Sequence, residues 1–288
     1  MNSLCRCCGG NTEFIGIKKG VLDGRDFRLL RCGTCWFSFI ENDRRDFKNI
    51  YNKQYYEGYG ADTSVDYVFE LEHPESTIRN YEMSGVTRVF EKLKGFDKRW
   101  LDYGCGGGSL VRFARKLGID AIGFEDGWGK SLGDDLGIPI ISRIGLDELH
   151  GQFDFISAIE VLEHVHDPIS ELKNIRKLLK PGGILFLTTG NAQPWRGQLL
   201  KWKYTDCPDV HISFFESETL AYALQESGFE PRYIGFSYGM KDIIKFKILK
   251  TLGVKDRSKF IDLAPWWLIT RIVNARHKVT SHPIGVAK

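Results

Sequence analysis

Nowhere in this 288-residue chain is there an apolar run long enough to span a bilayer. The most apolar stretch, APWWLITRIV from Ala264 to Val273, is short and broken by Arg271. The opening MNSLCRCCGG lacks the apolar centre of a secretion signal. Charge of one sign is also missing: 40 Lys and Arg face 37 Asp and Glu, and no long basic run stands out, which excludes the basic stripe of a nucleic-acid-binding face. These absences predict a cytoplasmic protein with no transmembrane segment and no nucleic-acid partner. Two nucleotide fingerprints are absent as well. The G-x-G-x-x-G pattern fails at Ser109 when counted from Gly104 and at Val111 when counted from Gly106, and no GKS or GKT follows the glycines at the P-loop spacing.

Cysteine is present in a pattern. Of seven, Cys5, Cys8, Cys32 and Cys35 form two C-x-x-C pairs. In a reducing compartment such pairs read as metal ligands rather than disulfides, and four thiolates suit tetrahedral Zn²⁺. The gap between the pairs is slightly long, but TEFIGIKKGVLDGRDFRLLR reads as a hairpin with a DG turn that absorbs the extra length. Cys7 is the odd thiol. Residues 1–45 are therefore expected to form a small zinc-ribbon-like module, stapled by metal because so short a segment has little core.

Residues 46–97 read as a helical linker and lid. A short helix and a loop come first. A longer helix then carries Ile78, Tyr81, Val86, Val89, Phe90 and Leu93 at helical spacing, capped by Ser76 or Thr77 and ended by Gly95. From residue 98 strands and helices alternate. Strands are expected at 100–103, 121–124, 138–142, 153–159 and 184–189, and helices at 109–117, 131–136, 168–179 and 217–227. Short apolar strands alternating with helices predict an α/β fold with a mostly parallel sheet covered on both faces.

RWLDYGCGGGSL, residues 99–110, spends four glycines in five positions between a strand and a helix. Glycine is used where backbone takes positive φ or meets a ligand closely. An acid, Asp102, precedes the turn. It is wrong for a pyrophosphate and right for a ligand presenting an ammonium and a sulfonium.

From these residues the sequence resembles the class I S-adenosylmethionine-dependent methyltransferases of the small-molecule branch. LDYGCGGG looks like their first motif and IGFED like their second. FDFISAIEVLEHVHDP is similar to their fourth-strand segment and LKPGGILFLTTGN to their fifth. HISFFESETLAYALQESGFEP resembles the stretch that follows. The match spans about residues 75–237, and the cysteine pairs resemble a ribbon found before some sugar and natural-product methyltransferases. The resemblance implies a seven-stranded Rossmann-like sheet with an antiparallel last strand over residues 98–288. PRYIGFS fits the sixth strand and HPIGVAK the seventh. The residues between read as a helical insertion, about 240–277, that packs over the substrate cleft or at a homodimer contact, or else lies on a membrane surface.

For the site, the resemblance implies S-adenosylmethionine held by Asp102, Gly104, Cys105, Gly106, Gly108, Glu125, Asp126 and Glu160. Asp102 would meet the ammonium, Glu125 both ribose hydroxyls, and Glu160 would lend backbone contacts. Glu163 and His164 stand in a segment similar to one that can hold a divalent ion in ubiquinone-type O-methyltransferases. The favoured reading is a helix-entry segment, because adjacent Glu and His diverge on a helix. His166, Asp167 and Pro168 read as a helix start. His211, at the end of the long loop beyond strand five, is the first candidate base, with His164 second; a structural His is the other reading of residue 211. The expected function is methyl transfer to a small molecule, with a sugar, nucleotide-sugar or glycan hydroxyl first and a natural-product or quinone-like phenol second. A non-catalytic binding module is the competing class. An RNA or protein methyltransferase is disfavoured by charge and by the lack of the Asn/Asp-Pro-Pro-Tyr/Phe segment of base-modifying relatives.

Overall fold

The computed structural model describes residues 2–63, 65–95, 97–234, 240–276 and 282–287. The chain opens with an antiparallel meander of β1 (Thr12–Lys19), β2 (Asp26–Cys32) and β3 (Ser38–Ile40). The DG dipeptide lies in the β1–β2 connection, with Gly24 at φ 69° and Asp23 Oδ1 accepting from Arg25 N at 3.1 Å. The connection is wider than a two-residue hairpin, because it closes where Gly20 N donates to Arg25 O. β2 is buried on both faces. Phe27 and Leu29 face one cluster with Ile212 and Phe214, and Leu30 and Cys32 face the main core.

The linker holds more helix than the sequence pattern predicts: α1 (Phe47–Ile50), α2 (Lys53–Tyr56) and α3 (Tyr67–Glu72) precede the long α4 (Arg79–Leu93). Asn52 and Asp66 cap α2 and α3 through Tyr55 N and Phe69 N. The cap expected for α4 is not there. Ser76 Oγ turns back to His73 O, and Ile78 at the N-cap offers no side-chain acceptor. The stop at Gly95 holds: at φ 85° its N–H reaches Glu91 O.

The second sheet follows from alternating elements: β4 (Arg99–Tyr103), α5 (Ser109–Lys116), β5 (Asp120–Phe124), α6 (Gly129–Asp135), β6 (Ile140–Ile141), α7 (Arg143–Asp147), β7 (Phe153–Ile159), α8 (Pro168–Leu178) and β8 (Leu179–Thr188). β9 (Ser213–Phe214), α9 (Ser217–Glu226), β10 (Phe229–Ile234), α10 (Met240–Thr251), α11 (Lys259–Leu263), α12 (Trp266–Arg276) and β11 (His282–Ala287) complete the chain. The order is β10-β11-β8-β7-β4-β5-β6. Neighbours from β8 to β6 run parallel, and β11 is antiparallel to both β8 and β10. This is the expected seven-stranded sheet. The insertion between the last two strands is three helices; residue 277, and residues 235–237 of the expected sixth strand, lie outside the described residues. Several boundaries differ, most of all that of β8, which starts at Leu179 rather than 184. The edge strand β6 keeps only two residues of 138–142, with Gly123 N donating to Pro139 O and Glu125 N to Ile141 O. α6 begins at Gly129 rather than 131.

β9 does not join the large sheet. It pairs with β3 and extends the N-terminal meander into a four-stranded sheet. The N-terminal module is thus continuous with the loop that follows β8.

The core of the large sheet is aromatic. Phe155 on β7 meets Phe90 edge-on at 5.3 Å and Trp100 at 5.4 Å, and stacks near Phe186 at 6.3 Å, all fully buried or nearly so. Phe155→Ala should cost about 3–5 kcal/mol of unfolding free energy, whereas Ile144→Ala, at an 81% exposed position, should change it by under about 0.5 kcal/mol. Urea denaturation of the two variants checks this; equal effects would remove the aromatic layer from the core.

Candidate active site and cysteine cluster

The two C-x-x-C turns bring their sulfurs together. Cys5 Sγ lies 3.6 Å from Cys35 Sγ and Cys8 Sγ 3.4 Å from Cys32 Sγ, with all four within 4.8 Å of one another. A tetrahedral Zn–S₄ centre with bonds of about 2.3 Å has sulfurs roughly 3.8 Å apart. Backbone N–H groups of Thr34 and Cys35 point at Cys32 Sγ, and that of Cys7 at Cys5 Sγ. These donors suit thiolates. Burial and the neighbouring backbone donors act oppositely on Cys32, and the donors win, lowering it to about 7. Crowding and burial push Cys5 up. Cys7 is buried but is not part of the four-sulfur group, as expected.

A cavity of about 1210 Å³ opens over the ends of β4, β5 and β7. Asp102, Gly104, Cys105, Gly106, Glu125, Asp126, Glu160, His164 and His211 all line it. Gly108 does not. At φ 84° it starts α5, and a Cβ there would strike Ile138 Cγ2 at 2.8 Å, so it serves helix–sheet packing. Gly107, which the motif count passes over, lines the cavity instead. Gly104 (φ 73°) and Gly106 (φ 56°) shape the turn, whose Gly104 and Cys105 N–H groups donate to Phe124 O. A Cβ on Gly104 would meet Val161 Cγ2 at 2.8 Å.

Glu125 ends β5 with its carboxylate buried. Oε2 accepts from Gly106 N at 3.0 Å and Oε1 from Gly127 N at 2.7 Å, and Tyr56 of α2 donates to the same carboxylate. Burial raises its pKa, and these donors partly offset the rise. Asp126 is drawn aside to Arg143, through Arg143 N at 3.0 Å and Nε at 3.2 Å. Asp102 accepts from Ser157 Oγ at 2.6 Å, and Ser157 Oγ in turn accepts from Trp100 Nε1 at 2.8 Å. Burial pushes Asp102 up to about 7, with Glu82 and Glu125 adding to the rise. Glu82, on the inward face of α4, ion-pairs with Arg79, yet its buried Oε1 has no hydrogen-bond partner among the described residues.

At the opposite wall, Glu160 takes φ 55°, left-handed backbone that few non-glycine residues adopt. Its side chain meets Lys247 Nζ of α10 at 2.5 Å, Thr188 Oγ1 at 3.2 Å and Tyr204 Oη at 3.3 Å. Burial would raise its pKa, but Lys247 and Lys250 outweigh it and hold the carboxylate ionised. Glu163, fully buried, accepts from Thr189 Oγ1 at 2.8 Å and from Tyr204 Oη. Burial, then the charge of Glu160, lifts it to about 8. His164 donates from Nδ1 to Val210 O at 3.0 Å, with Tyr51 Oη 3.1 Å from the same nitrogen. Burial, then His211, lowers it to about 3. His211 stacks on the Tyr204 ring at 4.1 Å and donates from Nδ1 to Tyr204 O at 2.9 Å. Burial lowers its pKa too. Both imidazoles are neutral at pH 7, and in both the backbone bond at Nδ1 leaves Nε2 with the free lone pair.

One expectation is corrected. Glu163 and His164 were expected to diverge as on a helix, but a ligand atom of each lies within 4.8 Å of the other and of His211. The segment is a single 3₁₀ turn, Leu162–His164, that ends at extended Val165 rather than continuing as α-helix. Asp167 is the real helix start: it caps α8 through Ser170 N, with Pro168 in the first turn. His166 lies apart, bridging Asp43 and Arg45.

A methyltransferase-domain family model matches residues 75–234, more than half of the chain. The chain belongs to the S-adenosylmethionine-dependent methyltransferases. A curated ubiquinone biosynthesis O-methyltransferase of Marinobacter nauticus is 36% identical over 118 residues, which are 37% of this chain and 50% of that protein. One of Pseudomonas aeruginosa is 35% identical over 119 residues, 38% and 51% of the two chains. The chain thus spans about half the length of the curated relatives it matches. The solved phosphoethanolamine N-methyltransferase 2 of Haemonchus contortus, in complex with S-adenosyl-L-methionine, shares the fold at TM-score 0.52 and 13% identity, over 96% of this chain and 68% of that one. No helix among the described residues is long and apolar enough to cross a membrane.

Glu82, Tyr204 and Lys250 of this methyltransferase's cavity, and Lys247, which pairs with the cavity's Glu160, escape motif reading. Glu82 left a signal, an acid within the apolar stripe of α4. Tyr204 and the lysines left none, because loop and insertion positions have no period to violate. The raised pKa of Asp102 has a measurable consequence. Without ligand, folding opposes its ionisation, so stability is lost as pH rises from about 4 to the folded value of about 7. Asp102→Asn removes that cost. Its stability gain over the parent in urea should be larger at pH 8 than at pH 5 by about 2–3 kcal/mol. A gain independent of pH would mean that Asp102 does not titrate in this range.

Proposed function

We propose that this methyltransferase methylates a hydroxyl of a phenolic, quinone-like small molecule. The observation that carries the reading is His211. Its backbone bond at Nδ1 directs a neutral, unprotonated Nε2 to a cavity that also exposes the glycine turn. A base so arranged can take the hydroxyl proton as the acceptor oxygen attacks. The cavity volume of about 1210 Å³ exceeds the roughly 300–1,000 Å³ of a single small-molecule site, leaving room for cofactor and acceptor together. Tyr51, Tyr55, Tyr56 and Tyr67 form an aromatic wall, edge-to-face at Tyr51–Tyr55 and Tyr55–Tyr56 and stacked at Tyr55–Tyr67, that suits a planar ring. The named relatives act in the same sense, so the sugar acceptor expected first from the sequence gives way to the phenol expected second.

When bound, S-adenosylmethionine supplies an electrophilic methyl group on its sulfonium. Gly104, Gly106 and Gly107 leave the backbone bare beside it. Glu125 would take the ribose hydroxyls. Asp102 and the unpartnered Glu82 Oε1 form an anionic hole for the ammonium. The Glu125 and Asp126 ends of β5 bound the nucleoside, and Cys105 and Glu160 contribute backbone. His164 braces the loop through Val210. A second reading rests on the convergence of Glu163, His164 and His211, which offers three donors to a divalent cation. A mild chelator that leaves the four-cysteine metal in place distinguishes the two, since only the cation reading then loses turnover and regains it on adding Mg²⁺ or Mn²⁺.

The four sulfurs are proposed to hold one structural Zn²⁺. Protein purified without added metal should carry about one equivalent by elemental analysis, and Cys32→Ser less than about half. Full metal retention by the variant would sink the assignment. For catalysis, labelled cofactor should transfer methyl to catechol-type phenols and not to sugars in parallel assays. His211→Ala should cut turnover roughly 10²–10⁴-fold with cofactor affinity nearly unchanged, and rising pH should partly rescue it. If affinity falls with turnover, His211 is a structural tie; if neither changes, the base reading is wrong.

A further inference from the structure

The insertion between β10 and β11 has an inner and an outer face of different character. Inward, Met240, Ile243, Ile244 and Leu249 of α10 are buried, and Lys247 reaches Glu160 at the cavity. On α12, Trp266 and Thr270 are buried one turn apart, with Ile269 half-buried beside them. Outward stand Phe260 (86% exposed), Leu263 (81%), Trp267 (62%), Leu268 and Ile272. Phe260 and Leu263 stand one turn apart on α11, and Leu268 and Ile272 stand one turn apart on α12 beside Trp267. Nothing among the described residues covers them. Soluble surfaces rarely gather so many large apolar side chains without a partner.

Charge separates in the same place. From Met240 to Arg276 nine lysines and arginines face three aspartates, whereas the whole chain carries 40 basic and 37 acidic residues, so the remainder is net negative. Two of those aspartates are already taken, Asp262 by Lys245 and Arg257 and Asp242 by Arg88. Lys255, Lys259 and Arg271, which flank the apolar side chains, have no ion pair among the described residues.

We propose that this outer face docks on an anionic lipid surface. Phe260, Leu263, Trp267, Leu268 and Ile272 enter the headgroup boundary, and Lys255, Lys259 and Arg271 meet the phosphates. Tryptophan with flanking cations is the composition that such a boundary favours. A second copy of the chain is the poorer occupant. A two-fold contact would bury the same patch from both sides and set its cations against each other. Because α10 carries Lys250 to the cavity wall, docking brings the cavity mouth to the lipid. An acceptor with an apolar tail would then enter without crossing water; this last step rests on the function proposed above, and the docking does not.

The test is co-sedimentation of the full chain with vesicles of phosphatidylcholine alone and of phosphatidylcholine mixed equally with phosphatidylglycerol. Binding is expected to the mixed vesicles, roughly tenfold above the neutral ones, and to fall with added salt. Phe260→Ser/Trp267→Ser and Lys259→Glu/Arg271→Glu should each lose roughly tenfold in partitioning while thermal unfolding and S-adenosylmethionine binding stay unchanged. No sedimentation with mixed vesicles, or equal sedimentation of both variants, overturns the proposal. So does light scattering that finds a dimer dissolved by Phe260→Ser/Trp267→Ser. Vesicle binding that survives when no phenol is methylated leaves the docking intact and rejects only the acceptor class.

Discussion

One backbone residue ties the two sheets to the chemistry. Ile212 O accepts from Ile40 N of β3 at 2.9 Å, and Ile212 N donates to Glu163 O at 2.7 Å. The ribbon strand, the loop that carries Tyr204 and His211, and the turn that carries Glu163 and His164 are thereby locked through one residue. Around it, β3 pairs with β9, Thr219 bonds the carbonyl of Cys35, and Asp43 holds His166. A buried backbone group left unpaired is costly, so this junction resists being pulled apart. The cysteine cluster matters to the active site for that reason. It braces the strand that braces the imidazole, although none of the four clustered cysteines lines the cavity.

The cavity walls show why charges are buried here at all. Arg79 is held between Glu70 and Glu82, Lys247 lies 3.9 Å from Glu82, and its nearer partner is Glu160. α4 and the insertion helix α10 are thus joined by alternating charge across apolar packing. Ion pairs so enclosed contribute little net stability, since desolvation offsets their attraction. What they supply is position. Lys247 keeps Glu160 ionised, while burial, and then the charge of Glu160, raise Glu163 to about 8. The Glu163 carboxyl and the two imidazoles thus lie beside Glu160, the ionised carboxylate of that wall, which is paired with Lys247.

Much of the fold was legible in the residues themselves. The strands of the large sheet announce themselves as short apolar runs between glycines, and Gly95 and Asp167 mark ends that hold in the structure. The glycine turn with Asp102 and the acid at Glu125 are local features, read by spacing, and they do meet at one cavity. The failures are equally local in origin. Ser76 and Thr77 look like caps, but Ser76 Oγ turns back to His73 O and Thr77 is held by an isolated backbone bridge to Asp256. Gly108 looks like part of the turn, but its φ serves the packing of Ile138 and Ile140. Glu163 and His164 look divergent only if a helix continues past them.

The sequence by itself determined the alternation of strand and helix, the pairing of cysteines and the glycine-rich turn, because each depends on residues a few places apart. Which groups share the cavity was decided by the tertiary structure. Lys247 reaches Glu160 across 87 positions, Glu82 faces Asp102 from a helix before the sheet begins, and His211 meets His164 with its ring 5.1 Å away. No period or spacing encodes those distances. They follow from burial, which closes the insertion and the ribbon onto opposite sides of one sheet edge and leaves their polar side chains no solvent to face except the cavity between them.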